Sequence, residues 1–313
     1  MEKVILGRTG LAVTIAGLGG GGHSRLGIKQ YGEQHAAGVV RRSFELGVNF
    51  FDTSAAYGTE GVVGLGLEGL PREEIVVSSK FPYINRDGSM KRQKDLMDTL
   101  DNCLKQLKME YVDIYHLHAL TIENYSKAIE EFFPALEKAK EQGKIRFFGV
   151  TERFASDSSH EMLKKAVEDS YFDVMMVGYN MLNPSAAKTI LPITMQKNIG
   201  VLCMFAVRTA LSNPERLKAN LEEIALHGQG GSGFKTSDDI FDFLLENGEA
   251  ESIINAAYRY CRHTEGINVT LTGTSNLSHL EANLNAIQMP SLSSEKLQQL
   301  ELLFGNVDCV NAE

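Results

Sequence analysis

What most constrains this chain is an alternation, starting after the first forty residues, of short apolar runs with amphipathic helical stretches. The runs are VNFFD (48–52), IVVSSK (75–80), VDIYHLH (112–118), IRFFGV (145–150), FDVMMVGY (172–179), GVLCMFA (200–206) and VTLTGT (269–274). They are rich in β-branched and aromatic residues, bounded by Gly, Asn or Asp, and apolar on both faces, as strands buried in a parallel sheet must be. Helical candidates cover about 33–46, 93–108, 123–142, 158–169, 185–197 and 250–262. In DLMDTLDNCLKQLKM, residues Leu96, Leu100, Leu104 and Leu107 share one helical face. Strands alternating with helices form βαβ units. Seven such units, with an eighth strand expected near LNAIQMP (284–290), predict an α/β fold, a closed (β/α)8 TIM barrel rather than an open sheet. Ahead of them, VILGRTGLAVTIAGLG reads as a β-hairpin turning at Arg8-Thr9-Gly10, placed to plug the barrel's bottom. No linker divides the chain, so residues 1–313 read as one domain.

Composition excludes several functions. A net charge of −9 repels phosphate backbones and anionic lipid, so neither nucleic acid nor membrane is the expected partner. The four cysteines (Cys103, Cys203, Cys261, Cys309) show no paired spacing and read as small apolar residues in a reducing compartment. No apolar stretch is long enough to cross a bilayer, and MEKVILGRTG lacks the pattern of a secretory signal. A cytoplasmic protein is expected. The oligomeric state is not encoded in any recognisable pattern.

In a barrel, polar residues at the carboxyl ends of strands face the catalytic mouth. The run FFDTSAAYG gives Asp52, with Tyr57 five residues on; VVSSKF gives Lys80; YVDIYHLHA gives His118. Singly, each has a plain structural explanation, as a helix cap, a solvated lysine or a core histidine. An acid, a tyrosine, a lysine and a histidine converging from three successive strands do not.

These stretches, with LGRTGL, GKIRFFGVTE, VGYNMLNP and GTSNLSHLEANL, resemble the aldo-keto reductase family in order and from end to end. The resemblance implies NAD(P)H-dependent reduction of an aldehyde or ketone, with a small-molecule carbonyl or alcohol as substrate. Hydride transfer to a carbonyl leaves negative charge on oxygen, so a proton donor is needed. Tyr57 is the acid in this reading. Its ordinary pKa of about 10 makes it a weak one, and a lowered value is expected from Lys80 beside it. Asp52 would hold and balance Lys80, and His118 would hydrogen-bond the carbonyl oxygen.

The resemblance also assigns the cofactor positions. Gly21, Gly22 and His23 would line the cleft at the first loop, and Thr151 and Glu152 would meet the nicotinamide carboxamide. Met176 stands where a glutamine is common, and Met204, with Phe205 adjacent, where a tyrosine commonly stacks. Gly273, Thr274, Ser275 and the next helix would hold phosphate through backbone N–H groups, with Asn283 on the adenine. His279 replaces a common arginine. NADPH is the expected form and NADH the alternative. A long loop from about Arg208 to Asp239, containing GQGGSG (228–233), would fold over the pyrophosphate, with Arg208 and Lys235 adding charge. Phe81, Tyr83 and that loop would shape the substrate pocket.

Other readings are weaker. GLGGGG (17–22) fits GxGxxG, but no helix opens directly after it and no acidic residue closes a strand about twenty residues on. His116-x-His118 places two imidazoles on one strand face, yet later strands end without further ligands; no metal is expected, and His116 reads as a barrel-interior residue. His35, His160, His227 and His263 read as surface or loop residues. The alternative from another class is a non-catalytic, nicotinamide-binding redox sensor or regulatory subunit.

Overall fold

Eight parallel strands hydrogen-bond in a closed ring. The computed structural model describes residues 1–313, the side chain of Asp238 excepted. A hairpin comes first, β1 (Lys3–Ile5) against β2 (Ala12–Thr14). The ring then runs β3 (Ala16–Gly19), β4 (Phe50–Asp52), β5 (Val76–Pro82), β6 (Val112–Leu120), β7 (Ile145–Glu152), β8 (Val174–Gly178), β9 (Gly200–Met204) and β10 (Val269–Thr272), with β10 closing on β3.

Seven expected strands are therefore barrel strands. The eighth is not the run at 284–290 but Ala16–Gly19, which the sequence pattern folds into the hairpin. The 284–290 stretch belongs mostly to the helix Leu277–Gln288, where Leu280, Leu284 and Ile287 are buried at helical i, i+4, i+7 spacing. Met289-Pro290 ends that helix and gives the run its misleading strand-like edge. A second omission is the helix Glu60–Leu67, hidden by its glycines. Gly64 and Gly66 are required there: a Cβ would come within 2.6 Å of the Leu107 carbonyl and 2.5 Å of Val40.

The hairpin does plug the barrel. Leu6, Leu11 and Val13 pack beneath Phe50, Val76 and Ile114 inside the ring. Gly7, at positive φ, lies where a Cβ would reach the Gly200 nitrogen at 2.3 Å, and Arg8 pairs with Asp173 at 3.0 Å. Residues 208–239 are not one open loop: Pro214–Leu226 is a helix, capped by Asn213 accepting from Arg216 N–H. This helix, Ile240–Leu244 and the terminal helix Ser294–Phe304 form a second apolar cluster beside the barrel. No helix among the described residues is long and apolar enough to cross a membrane.

Because side chains alternate along a strand, inward columns can be read off directly. On β5 the column is Val76, Ser78, Lys80; on β6 it is Ile114, His116, His118. Register sets Asp52 opposite Ser78 and Lys80 opposite His116. Each column climbs from the apolar plug to a polar layer to the mouth.

Candidate active site

Lys80 is fully buried at the top of its column and spends its ammonium on three acceptors. These are Asp52 Oδ1 and Oδ2, at 2.7 and 2.6 Å, and the Thr53 carbonyl at 2.8 Å. Asp52 Oδ1 also accepts from Ser78 Oγ at 2.8 Å, and Ser78 in turn lies 3.0 Å from His116 Nε2. A buried charge is tolerable only when paired and hydrogen-bonded in this way. His116 owes its place to Gly149, where a Cβ would strike the imidazole at 2.2 Å. It is an interior residue, as its position suggests, and supports the Asp52–Lys80 pair from below.

Tyr57 returns from the β4 loop to lie over this pair. The Lys80 ammonium is 4.7 Å from its ring centroid. Its hydroxyl is 3.4 Å from His118 Nε2, and the two rings meet edge-on at 5.3 Å. Gly21 backs the ring so closely that a Cβ there would lie 2.5 Å from it. Asp52, Tyr57, Lys80 and His118 are thus brought together.

Burial and neighbours set their protonation. Burial lowers the Lys80 ammonium, but Asp52 and Tyr57 outweigh it and hold the group above its ordinary value. Burial likewise pushes the Asp52 carboxyl up against the pull of Lys80. Burial, then Lys80, push His118 down to about 3, so it is neutral at physiological pH. For Tyr57 the expected direction is reversed. Burial raises the hydroxyl more than Lys80 lowers it, so it sits above its ordinary value. The tyrosine therefore keeps its proton at neutral pH, while the cation beside it favours tyrosinate once the proton has left.

A cavity of about 810 Å3 opens over this cluster. It runs from Gly21, Gly22, Tyr57 and His118, past Met176, Met204 and Phe205, to Gly273, Thr274, His279 and Asn283. Met176 and Met204 offer thioether surface against a flat ring. At the far end Asn276 caps the helix Leu277–Gln288, accepting from the Ser278 and His279 N–H groups, and Asn283 donates to Thr272 Oγ1 at 3.0 Å. His35 reaches the Ser275 carbonyl at 2.7 Å. Ser252, Ile254 and Tyr258 also line the cavity, although nothing in the strand pattern marks them; they come from the helix Ile253–Arg262 and its N-cap, between β9 and β10.

Several expected positions are engaged elsewhere. Glu152 is buried away from the cavity, accepting from His160 Nδ1 at 2.9 Å and from the Gly178 N–H at 2.7 Å. His160 is fully buried, not a surface residue, and stacks on Phe154. Thr151 Oγ1 accepts from the Ala119 N–H at 2.7 Å. Phe81 and Tyr83 are buried in the main core and do not shape the pocket; Phe81 packs edge-on against Phe132. The GQGGSG segment packs on the terminal helix rather than over the cavity: Gly231 donates to the Leu303 carbonyl, and Gln229 holds Asp308. Lys235 pairs with Asp239. His23 and Arg208 both contact the Glu313 carboxylate, His23 at 3.0 Å, and Arg208 lies 4.0 Å over the Phe205 ring.

A family model described as the aldo/keto reductase family matches residues 17–303. The chain belongs to the aldo/keto reductase family. It is 28% identical over 317 residues to the L-galactose dehydrogenase of Arabidopsis thaliana, covering 97% of this chain and 94% of that protein. It is 26% identical over 221 residues to an NADH-specific methylglyoxal reductase of Escherichia coli, covering 64% of this chain and 66% of that one. The holo form of the aldo-keto reductase AKR11C1 from Bacillus halodurans superposes over 100% of both chains with a TM-score of 0.76 at 23% identity, which establishes the barrel. This aldo/keto reductase is an NAD(P)-dependent oxidoreductase acting on small-molecule carbonyl groups.

Proposed function

We propose that the whole chain, 1–313, acts as one catalytic domain in which Tyr57 delivers the proton to the reduced carbonyl oxygen. The observation that carries this is the meeting of the Tyr57 hydroxyl with His118 Nε2, above a fully buried Lys80–Asp52 pair, on the floor of the cavity. A bound nicotinamide supplies the hydride. His118, neutral, donates to the carbonyl oxygen and holds it within reach of Tyr57. Lys80 stabilises the tyrosinate left behind, and Asp52 keeps Lys80 fixed and charged. The same geometry serves alcohol oxidation in reverse.

The cavity, of about 810 Å3, runs from the Tyr57–His118 cluster to the Leu277–Gln288 helix, where an extended dinucleotide would lie. Gly21 and Gly22 bring backbone close to the catalytic end, and Thr274 and His279 stand at the other. The lining contains neither lysine nor arginine to clamp a 2′-phosphate. His279 would face the 2′-phosphate of NADPH, which is the expected form, with NADH the alternative. Met176 and Met204 would offer their thioether surface to the nicotinamide ring, since Thr151 and Glu152 are committed to the Ala119 N–H and to His160. An aldose or a small aldehyde suits the polar floor and apolar walls, in keeping with the named relatives. Four free thiols fit a cytoplasmic setting.

Absorbance of the reduced nicotinamide, followed with NADPH and then NADH against nitrobenzaldehyde, methylglyoxal and L-galactose plus the oxidised cofactors, tests the assignment. Turnover with either cofactor is expected. Tight cofactor binding without turnover on any of these substrates would favour a sensor.

A further inference from the structure

We infer that Ser54 is a positioning residue for the reduction, fixing the single ring proton of His118 on the nitrogen that faces the cavity. The inference rests on His118 being the donor to the substrate oxygen. Ser54 is fully buried in the turn that follows β4, and Tyr57 N–H donates to the Ser54 carbonyl at 3.0 Å, so one short turn carries both residues. Ser54 Oγ lies 3.2 Å from His118 Nδ1 and accepts the Ala56 N–H at 3.1 Å.

A hydroxyl has one proton to give, and the Ala56 amide can only donate to it. Among the described contacts Ser54 Oγ has no third partner, so its proton has only Nδ1 to go to. Nδ1 must then be the bare nitrogen. In the opposite tautomer Nδ1–H would also point at the serine oxygen, leaving the buried hydroxyl proton without an acceptor, an arrangement that is costly. The ring proton is thereby placed on Nε2, the nitrogen 3.4 Å from the Tyr57 hydroxyl. Nε2–H can donate to a carbonyl oxygen whose charge is growing; a bare Nε2 would repel it. His116, two residues earlier on the same strand, faces Ser78 and takes no part in this contact.

Ring 15N labelling of histidine in the full chain with oxidised cofactor bound reads the tautomer directly, the His118 signals being assigned as those lost in His118→Asn. Wild type is expected to show a protonated Nε2 and a bare Nδ1. Ser54→Ala is expected to give mixed-tautomer His118 signals and a kcat about tenfold lower, with the cofactor Kd within about twofold of wild type. Ser54→Thr, which keeps the hydroxyl, is expected to restore the wild-type signals. A protonated Nδ1 in an active wild-type enzyme would overturn this inference alone, even if Ser54→Ala failed to fold. Unchanged His118 signals and kcat in a folded Ser54→Ala would overturn it too. A protonated Nε2 in a wild type inert toward every carbonyl would instead overturn the role given to His118 in reduction.

Discussion

Replacing Gly21 by alanine displaces the proposed proton donor, Tyr57, without changing its chemistry. The added Cβ would stand 2.5 Å from the Tyr57 ring, whereas ordinary van der Waals contact begins near 3.4 Å. The ring must therefore retreat by about 0.9 Å, the difference between those two distances. Lys80 lies 4.7 Å from the ring centroid and the His118 ring packs edge-on against it, so the ring has little room to swing without losing both. The Tyr57–His118 contact is already 3.4 Å long, and this shift breaks it. A misplacement of about 1 Å at a reacting group costs roughly 100-fold in rate, and overpacking of this kind costs about 1–3 kcal/mol of stability. The expected outcome in steady-state assays is a kcat about 100-fold lower for Gly21→Ala. In a Tyr57→Phe background there is no proton left to misplace, so Gly21→Ala should change the residual rate hardly at all. Wild-type kcat in Gly21→Ala, or a full additive loss in the double variant, would refute the reasoning and show that the glycine loop yields instead of the ring.

Two further outcomes follow. His118 is held near 3 when folded and titrates near 6.5 when unfolded, so the unfolded chain binds more protons below pH 6.5 and stability falls as pH drops from there toward 3. Urea unfolding should show a loss of about 1.3 kcal/mol from this residue between pH 7 and 5.5, and a shallower slope in His118→Gln; equal slopes would remove the residue from the account. His279→Arg should strengthen NADPH binding about tenfold relative to NADH through a charge-assisted phosphate contact, read by fluorescence titration of each cofactor. Unchanged affinities would place the 2′-phosphate elsewhere.

The convergence of Asp52, Lys80 and His118 was legible because it sits at the ends of strongly apolar runs. Asp52, Lys80 and His118 occupy inward positions at the ends of strongly apolar strands, where alternation alone aims them at the mouth. The strand β3 was obscured for the opposite reason: Ala-Gly-Leu-Gly carries little side chain to declare a face and directly follows a real hairpin. Contacts made across long sequence separations left no local trace. Glu152 looks free at a strand end until His160, in a left-handed turn eight residues on, folds back to claim it. Phe81 looks available to a substrate until Phe132 covers it. Glu313 meets His23 from 290 residues away. The rise in the Tyr57 pKa was likewise hidden, because burial depends on the whole mouth while the pull of Lys80 can be guessed from a motif.

The most direct measurement of the central claim is turnover by Tyr57→Phe beside wild type, with reduced-nicotinamide absorbance recorded against a common aldehyde and cofactor affinity measured on the same samples. The phenyl ring keeps its packing against Gly21 and its place over Lys80, so binding and fold should persist. The account predicts a kcat lower by several orders of magnitude with an unchanged cofactor Kd. Wild-type turnover in Tyr57→Phe would contradict it and assign the proton to another group.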